Sequence, residues 1–198
     1  MRIALIRHGR TEWNAQGRVQ GAIETDLSEE GRKILCDLRI PPPFDTARAF
    51  CSPQKRARQT AALLGLHPVA DARLREQSWG IWEGLTRTEM RLRDGDDCFK
   101  KNGIGLAFRP PGGEATFELV ARVRSFLIDV ASEDSPAIAV AHLGVLRAAY
   151  ALASGWDMAG EPVGFDASAM LILNVEGESI RINTLNSQFL YRFTAQNA

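Results

Sequence analysis

The chain holds three histidines, His8, His67 and His142, and two of them stand where chemistry is feasible. His8 follows the apolar run Ile3-Ala4-Leu5-Ile6 and Arg7, and His142 follows Ala137-Ile138-Ala139-Val140-Ala141. His67 precedes Pro68 in a connection and receives no role. A single histidine is most often an ordinary polar residue, but the company of His8 argues otherwise. Arg7, Arg10 and Arg18 lie close, with Gly9, Thr11 and Asn14 between them. An imidazole can attack phosphorus through a ring nitrogen and hold the phosphoryl group covalently, dividing one hard displacement into two. It must be unprotonated to attack, which is accessible near neutral pH. Guanidinium groups supply planar paired donors that match phosphate oxygens and keep their charge. Gly9 is expected to let the backbone pass close to the phosphate, and Asn14 to add a neutral donor.

The elements that would carry these residues are legible in outline. Ile3–Ile6 reads as a strand buried on both faces. Ser28 caps a helix whose positive end takes Glu29 and Glu30, and which stops before Pro41-Pro42-Pro43. A second strand over 47–51 leads through Ser52-Pro53 into a helix to about Leu64, with Pro53 in its first turn and Gly65 as its stop. A polar helix is predicted over 86–94. Residues 94–113, rich in Gly, Pro and charge, are expected as loop, which makes 86–113 a lid-like irregular segment. Apolar spacing predicts a helix over 114–131, and a strand over 137–141 precedes a helix over 144–154. Strand-like pieces follow near 168–175, 179–185 and 189–193. This alternation predicts an α/β fold with a mainly parallel central sheet flanked by helices. Ligands in such sheets bind beyond the carboxyl ends of the strands. Arg7-His8-Gly9, Ser52 leading to Arg56, and His142 all sit at such ends.

Composition narrows the classes. The 198 residues fit a single domain spanning 1–198. The 24 basic and 24 acidic residues cancel, so neither nucleic acid nor an anionic membrane is an expected partner. The first apolar run is too short for a signal peptide, and His142 and Arg147 interrupt the stretch from 137 to 156 that would otherwise resemble a membrane span. Cys36, Cys51 and Cys98 form no CxxC and read as reduced thiols of a cytoplasmic protein. No HxH, CxxC or HExxH spacing occurs, and arginines beside His8 would repel a cation, so neither metal nor cofactor is expected. Monomer and homo-oligomer both remain open.

Five ordered blocks extend the pattern. Leu5-Ile6-Arg7-His8-Gly9-Arg10-Thr11-Glu12-Trp13-Asn14 with Gly17-Arg18-Val19-Gln20-Gly21 resembles the signature of the histidine phosphatase, or phosphoglycerate mutase-like, family. Ser52-Pro53-Gln54-Lys55-Arg56, Leu74-Arg75-Glu76 with Trp79-Gly80-Ile81-Trp82-Glu83-Gly84, Pro111-Gly112-Gly113-Glu114, and His142-Leu143-Gly144 resemble the later blocks, in family order. The resemblance implies that family's three-layer sandwich. It makes His8 the phosphoacceptor, with Arg7, Arg56 and His142 around the phosphate. Glu76 becomes the proton donor to the leaving oxygen and then the base for water. Asn14, Gln20 and Gly21, with Arg10 beside the nucleophile, are the implied substrate contacts. Three departures are visible: Arg10 stands where Glu or Gln is usual, Glu24 and Asp26 replace Asp and Pro, and Leu143 replaces the first glycine after His142.

Structural readings compete at several positions. Arg58, two residues from Arg56, should face solvent, and Ser52 lacks a base and reads as a turn cap. Glu83 fits a structural role but is a second possible proton donor. Trp79 and Trp82 are expected in the core, and Glu12 in a local turn. Lys100, Lys101 and Arg109 are balanced between a solvated loop and contact with an anionic substrate. A small-molecule phosphate ester is the expected partner. Hydrolysis is favoured over intramolecular phosphoryl transfer, because the chain is short and only 95–113 is available to cover the pocket from water. A catalytically silent binding protein is the reading from another class, and retention of all five catalytic positions argues against it.

Overall fold

The computed structural model describes residues 1–133, 135–160, 163–165, 169–187 and 191–192. In chain order its elements are β1 (Arg2–Arg7), α1 (Glu12–Ala15), α2 (Glu29–Cys36), β2 (Leu38–Arg39), β3 (Arg48–Cys51), α3 (Lys55–Leu63) and β4 (Val69–Ala70). Then come α4 (Arg87–Asp94), α5 (Cys98–Lys101), α6 (Thr116–Ala131), β5 (Ala137–Ala141), α7 (Leu143–Ser154), β6 (Met170–Glu176), β7 (Ser179–Ser187) and β8 (Tyr191–Arg192).

Six strands form one sheet in the order β4-β3-β5-β1-β6-β7. The first four run parallel, while β6 and β7 add an antiparallel edge. β1 lies inside the sheet, and Ile3, Ala4, Leu5 and Ile6 are wholly buried. Successive side chains of a strand point to opposite faces, so the apolar run serves two cores. Ile3 and Leu5 join Ala137, Ala139, Leu171 and Leu173 beneath α6 and α7. Ala4 and Ile6 join Ile138, Val140 and Ile172 against Leu35 of α2 and Ala57 and Ala61 of α3. Each large side chain so buried stabilises the fold by roughly 1.5–3 kcal/mol. The result is helices, sheet, helices: the expected α/β sandwich, with a mainly parallel sheet.

Register positions the chemistry. Arg7 pairs with Ala141 across β1 and β5, and the His8 N–H donates to the Ala141 carbonyl at 2.9 Å. His8 and His142 therefore emerge side by side.

Two details differ from expectation. Pro53 stands before the helix, whose cap is Gln54; α2 stops before Pro41, at Cys36, as expected, and β2 then pairs with β8. The segment expected as loop contains α5 and a 3-10 turn over Gly105–Ala107. Its Gly and Pro content masks a small core, in which Trp82, Met90 and Cys98 are buried with Phe99 and Phe108 packed against them. The three expected C-terminal strands are present as β6, β7 and β8. The outer parts of the expected pieces, at 168, 189–190 and 193, lie outside the described residues. Among the described residues no helix is long and apolar enough to cross a membrane.

Candidate active site

The ring centroids of His8 and His142 are 5.1 Å apart, with the planes tilted by 57°. His142 is wholly buried and His8 is 4% exposed. That small exposure matters, because His8 lines a cavity of about 220 Å³ together with Arg7, Arg56, Glu76 and Asn14. A substrate can reach it. His8 Nδ1 lies 2.7 Å from the Gly9 carbonyl oxygen. A carbonyl only accepts, so Nδ1 carries the hydrogen and Nε2 the lone pair. Burial, then the Arg56 and Arg7 charges, pushes the His8 pKa down to about 3, against the opposing Gly9 hydrogen bond. The imidazole is neutral and nucleophilic at physiological pH. Burial, followed by the His8, Arg56, Arg122 and Arg7 neighbours, also holds His142 well below its ordinary value. Both His142 ring nitrogens are buried without a hydrogen-bond partner among the described residues.

Arg56 occupies the first turn of α3 and is 0% exposed. Its Nη1 donates to the Ile23 carbonyl at 2.8 Å and its Nη2 to the Gly21 carbonyl at 2.9 Å. The loop 21–23 thus fixes the guanidinium plane. Burial lowers the Arg56 pKa, and the Glu76, Glu24 and Glu83 carboxylates oppose this. An arginine keeps its charge under such shifts, so the niche is cationic.

Glu76 enters from the loop after β4. Its N–H donates to Gln54 Oε1 at 2.8 Å. Its carboxylate accepts from Gln77 N at 2.9 Å and from Gly144 N at 3.2 and 3.3 Å. Gly144 lies in the first turn of α7, where backbone N–H groups lack helical partners. A Cβ there would sit 2.3 Å from Glu76 Oε1. The close approach that the His142 block needs is therefore made at Gly144, while Leu143 lines the cavity.

The structure gathers Arg7, His8, Asn14, Gln20, Gly21, Arg56 and Glu76 around that cavity, with His142 against His8. Asn14 Oδ1 accepts from the Thr11 N–H and hydroxyl, both at 3.0 Å, which leaves the amide nitrogen outside that cap. Gln20 is buried, and its Oε1 accepts from the Thr25 hydroxyl at 2.5 Å. Arg10 borders an outer cavity with Arg7, His8 and Asn14, but its guanidinium is paired with Glu30 at 2.9 Å. Gly9 also packs closely on a helix: a Cβ would meet the Leu35 side chain of α2 at 2.6 Å.

The competing structural readings also resolve. Arg58 is exposed, and Ser52 Oγ accepts from Gln54 N at 3.3 Å as a turn cap. Glu83 Oε1 accepts from Ala22 N, Trp79 N and Ser78 Oγ at 2.8, 2.9 and 3.1 Å; it knits two loops. Gly21 has φ +50° and would place a Cβ 2.2 Å from that same oxygen. Trp82 is a core residue whose indole N–H donates to Asp94, whereas Trp79 also lines the cavity. Lys101 pairs with Asp97 and Arg109 with Glu118.

Sequence reasoning missed Gln54. Its Nε2 donates to Gly21 O at 2.9 Å while its Oε1 accepts from Glu76 N, joining the Arg56 loop to the Glu76 loop. Its place in the Ser-Pro-Gln-Lys-Arg block was the available signal. Arg87 and Arg147 were also missed; both line the cavity. Among the described residues no group of His, Cys, Asp and Glu is arranged to hold a metal.

Comparison with known proteins agrees with this geometry. The chain is 34% identical over 168 residues to a glucosyl-3-phosphoglycerate phosphatase of Mycobacterium tuberculosis, covering 74% of this chain and 72% of that one. It is 33% identical to putative phosphoserine phosphatase 2 of Hydrogenobacter thermophilus, over 93% and 95% of the two chains. A phosphoglycerate mutase structure from Thermus thermophilus superposes with a TM-score of 0.70 at 29% identity, covering 94% of this chain and 99% of that one. Residues 3–188 match the family model for the histidine phosphatase superfamily (branch 1), and the chain belongs to that family.

Proposed function

We propose that this protein hydrolyses phosphate monoesters of small metabolites through a phosphohistidine on His8. One observation carries the reading: the Gly9 carbonyl fixes the hydrogen on His8 Nδ1, so the neutral Nε2 is the nucleophile beside Arg56 and His142. In the first step Nε2 bonds to phosphorus and the ester P–O bond breaks. Arg7, Arg56 and His142 meet the non-bridging oxygens where charge develops, and one well-placed donor of this kind contributes on the order of 3 kcal/mol. Glu76, held by two backbone N–H groups, protonates the leaving oxygen. In the second step Glu76 takes a proton from water, the water oxygen bonds to phosphorus, and the P–Nε2 bond breaks. Inorganic phosphate departs and His8 returns neutral. Asn14, Gln20 and Gly21 position the ester, and the 86–113 segment shields it. The three free thiols support a cytoplasmic setting.

Mutase-type transfer would use the same groups. Hydrolysis is favoured because the two curated relatives above, which the alignment covers over most of their length, carry phosphatase names. The deciding experiment incubates the protein with phosphate esters, including 3-phosphoglycerate, and measures phosphate release and positional transfer together. Free phosphate is expected, unaffected by chelators. Isomerised product without free phosphate would replace this reading with the mutase one.

A further inference from the structure

Beyond the phosphate niche lies a larger chamber of about 550 Å³. Gln77, Trp79, Arg87, Arg147 and Met158 line both cavities, so the chamber has room for a group attached to a phosphate at His8. Its lining contains three cations, Arg87, Lys100 and Arg147, and no carboxylate. Neighbouring cations are neutralised: Arg18 pairs with Glu89, Lys101 with Asp97 and Arg109 with Glu118. Among the described residues, none of the three chamber cations is in an ion pair. Arg147 lines both cavities and is held by a bond from its Nε to the Val163 carbonyl at 2.9 Å. Arg87 is stacked on Phe99, 5.1 Å from the ring centroid. Like charges gathered beside a cavity favour an anion that joins them, most of all at the partly buried Arg147. Four aromatic side chains, Trp79, Phe99, Phe108 and Trp156, contribute to the walls. The volume falls in the range that suits drug-sized ligands, and an amino-acid-sized alcohol would leave most of it to water.

We infer that Arg87 and Arg147 recognise a second anionic group on the leaving alcohol, and that the aromatic walls hold its ring-sized body. The substrate class is a phosphate monoester of a ring-bearing alcohol that carries a carboxylate or a second phosphoryl group. This deepens the hydrolase reading and rests on it. Lys100, exposed on the chamber lining, adds long-range attraction.

The test uses three esters with closely matched leaving phenols: 4-(carboxymethyl)phenyl phosphate, its neutral primary amide, and 4-(phosphonomethyl)phenyl phosphate. At least one acid is expected to exceed the amide by about tenfold or more in kcat/KM, mainly through KM, as a charge-assisted hydrogen bond in a pocket implies. Which acid is preferred identifies carboxylate or phosphoryl recognition. In Arg87→Met and Arg147→Met the acid-to-amide ratio is expected to fall below about threefold. Arg87 is exposed, so its variant decides the matter even where Arg147→Met fails to fold. Equilibrium binding of the same esters to His8→Ala protein separates recognition from turnover. Hydrolysis without preference for either acid, or a preference that survives in Arg87→Met, would overturn the inference and leave the hydrolase reading standing. Preferential binding of an acid to His8→Ala protein, with no turnover of any ester by the wild type, would do the reverse.

Discussion

Two glutamates stand near the phosphate niche, and their hydrogen bonds assign them different work. Glu83 Oε1 is saturated by three donors from the loops it joins. Glu76 accepts only backbone N–H groups from Gln77 and Gly144 and lines the cavity. Glu76→Gln is therefore expected to slow alkyl phosphates by about 10²–10⁴-fold and nitrophenyl phosphate much less, since only the poorer leaving group needs its proton. Equal slowing of both would take Glu76 out of that role. Gly144→Ala probes the same carboxylate from outside, because the new methyl group would displace Oε1. Misplacing a catalytic group by about 1 Å can cost on the order of 10²-fold. We expect a comparable loss on alkyl phosphates, with a thermal unfolding midpoint near that of wild type. His8→Ala should abolish both turnover and the acid-labile, alkali-stable phosphoenzyme, with the far-UV spectrum unchanged.

At the scale of elements, α2 buttresses the loop after His8 through its first turn. The Arg10 carbonyl accepts from Ser28 N at 2.9 Å and from Ser28 Oγ at 3.2 Å, and a Cβ on Gly31 would lie 2.3 Å from that carbonyl oxygen. Backbone cannot swing aside as a side-chain tip can. Gly31→Ala is expected to destabilise the fold by about 1–3 kcal/mol, read as a lower urea midpoint. It should also lower kcat/KM, because Arg10 is two residues from His8. The cap of this helix was legible, since Ser28 followed by Glu29 and Glu30 is a local signal. The reason for Gly31 was not, because it lies in a neighbour that folding supplies. The same division runs through the site. Strands buried on both faces must be apolar, so His8 and His142 stood out at their ends. Gln54 and Glu83 did not, since they hold backbone groups 33 and 61 residues away. The core beneath α4 and α5 was hidden because Phe99 and Phe108 are spread among Gly, Pro and charge.

For the molecule as a whole, folding gathers Arg7, Arg56 and two neutral imidazoles into one buried niche, and their charge couples stability to pH and to anions. The folded His8 pKa of about 3 lies below the value of about 6.5 that an unfolded chain has. Between those values the unfolded chain binds the proton and the folded one does not, so stability rises with pH across this window and levels off above it. His142 acts in the same direction. Urea midpoints from pH 4 to 8 are expected to show that rise, with a shallower slope in His8→Gln. An unchanged slope in that variant would mean that other groups carry the dependence. Inorganic phosphate is expected to bind the folded niche and not the unfolded chain, and so to stabilise by about 2.7 kcal/mol at a hundred times its Kd. Its negative charge also favours the protonated imidazole, so phosphate should flatten the acid side of the profile as well as raise it. On the proposed function, the cationic niche that makes the fold acid-sensitive is also the feature that would draw a phosphate ester to His8.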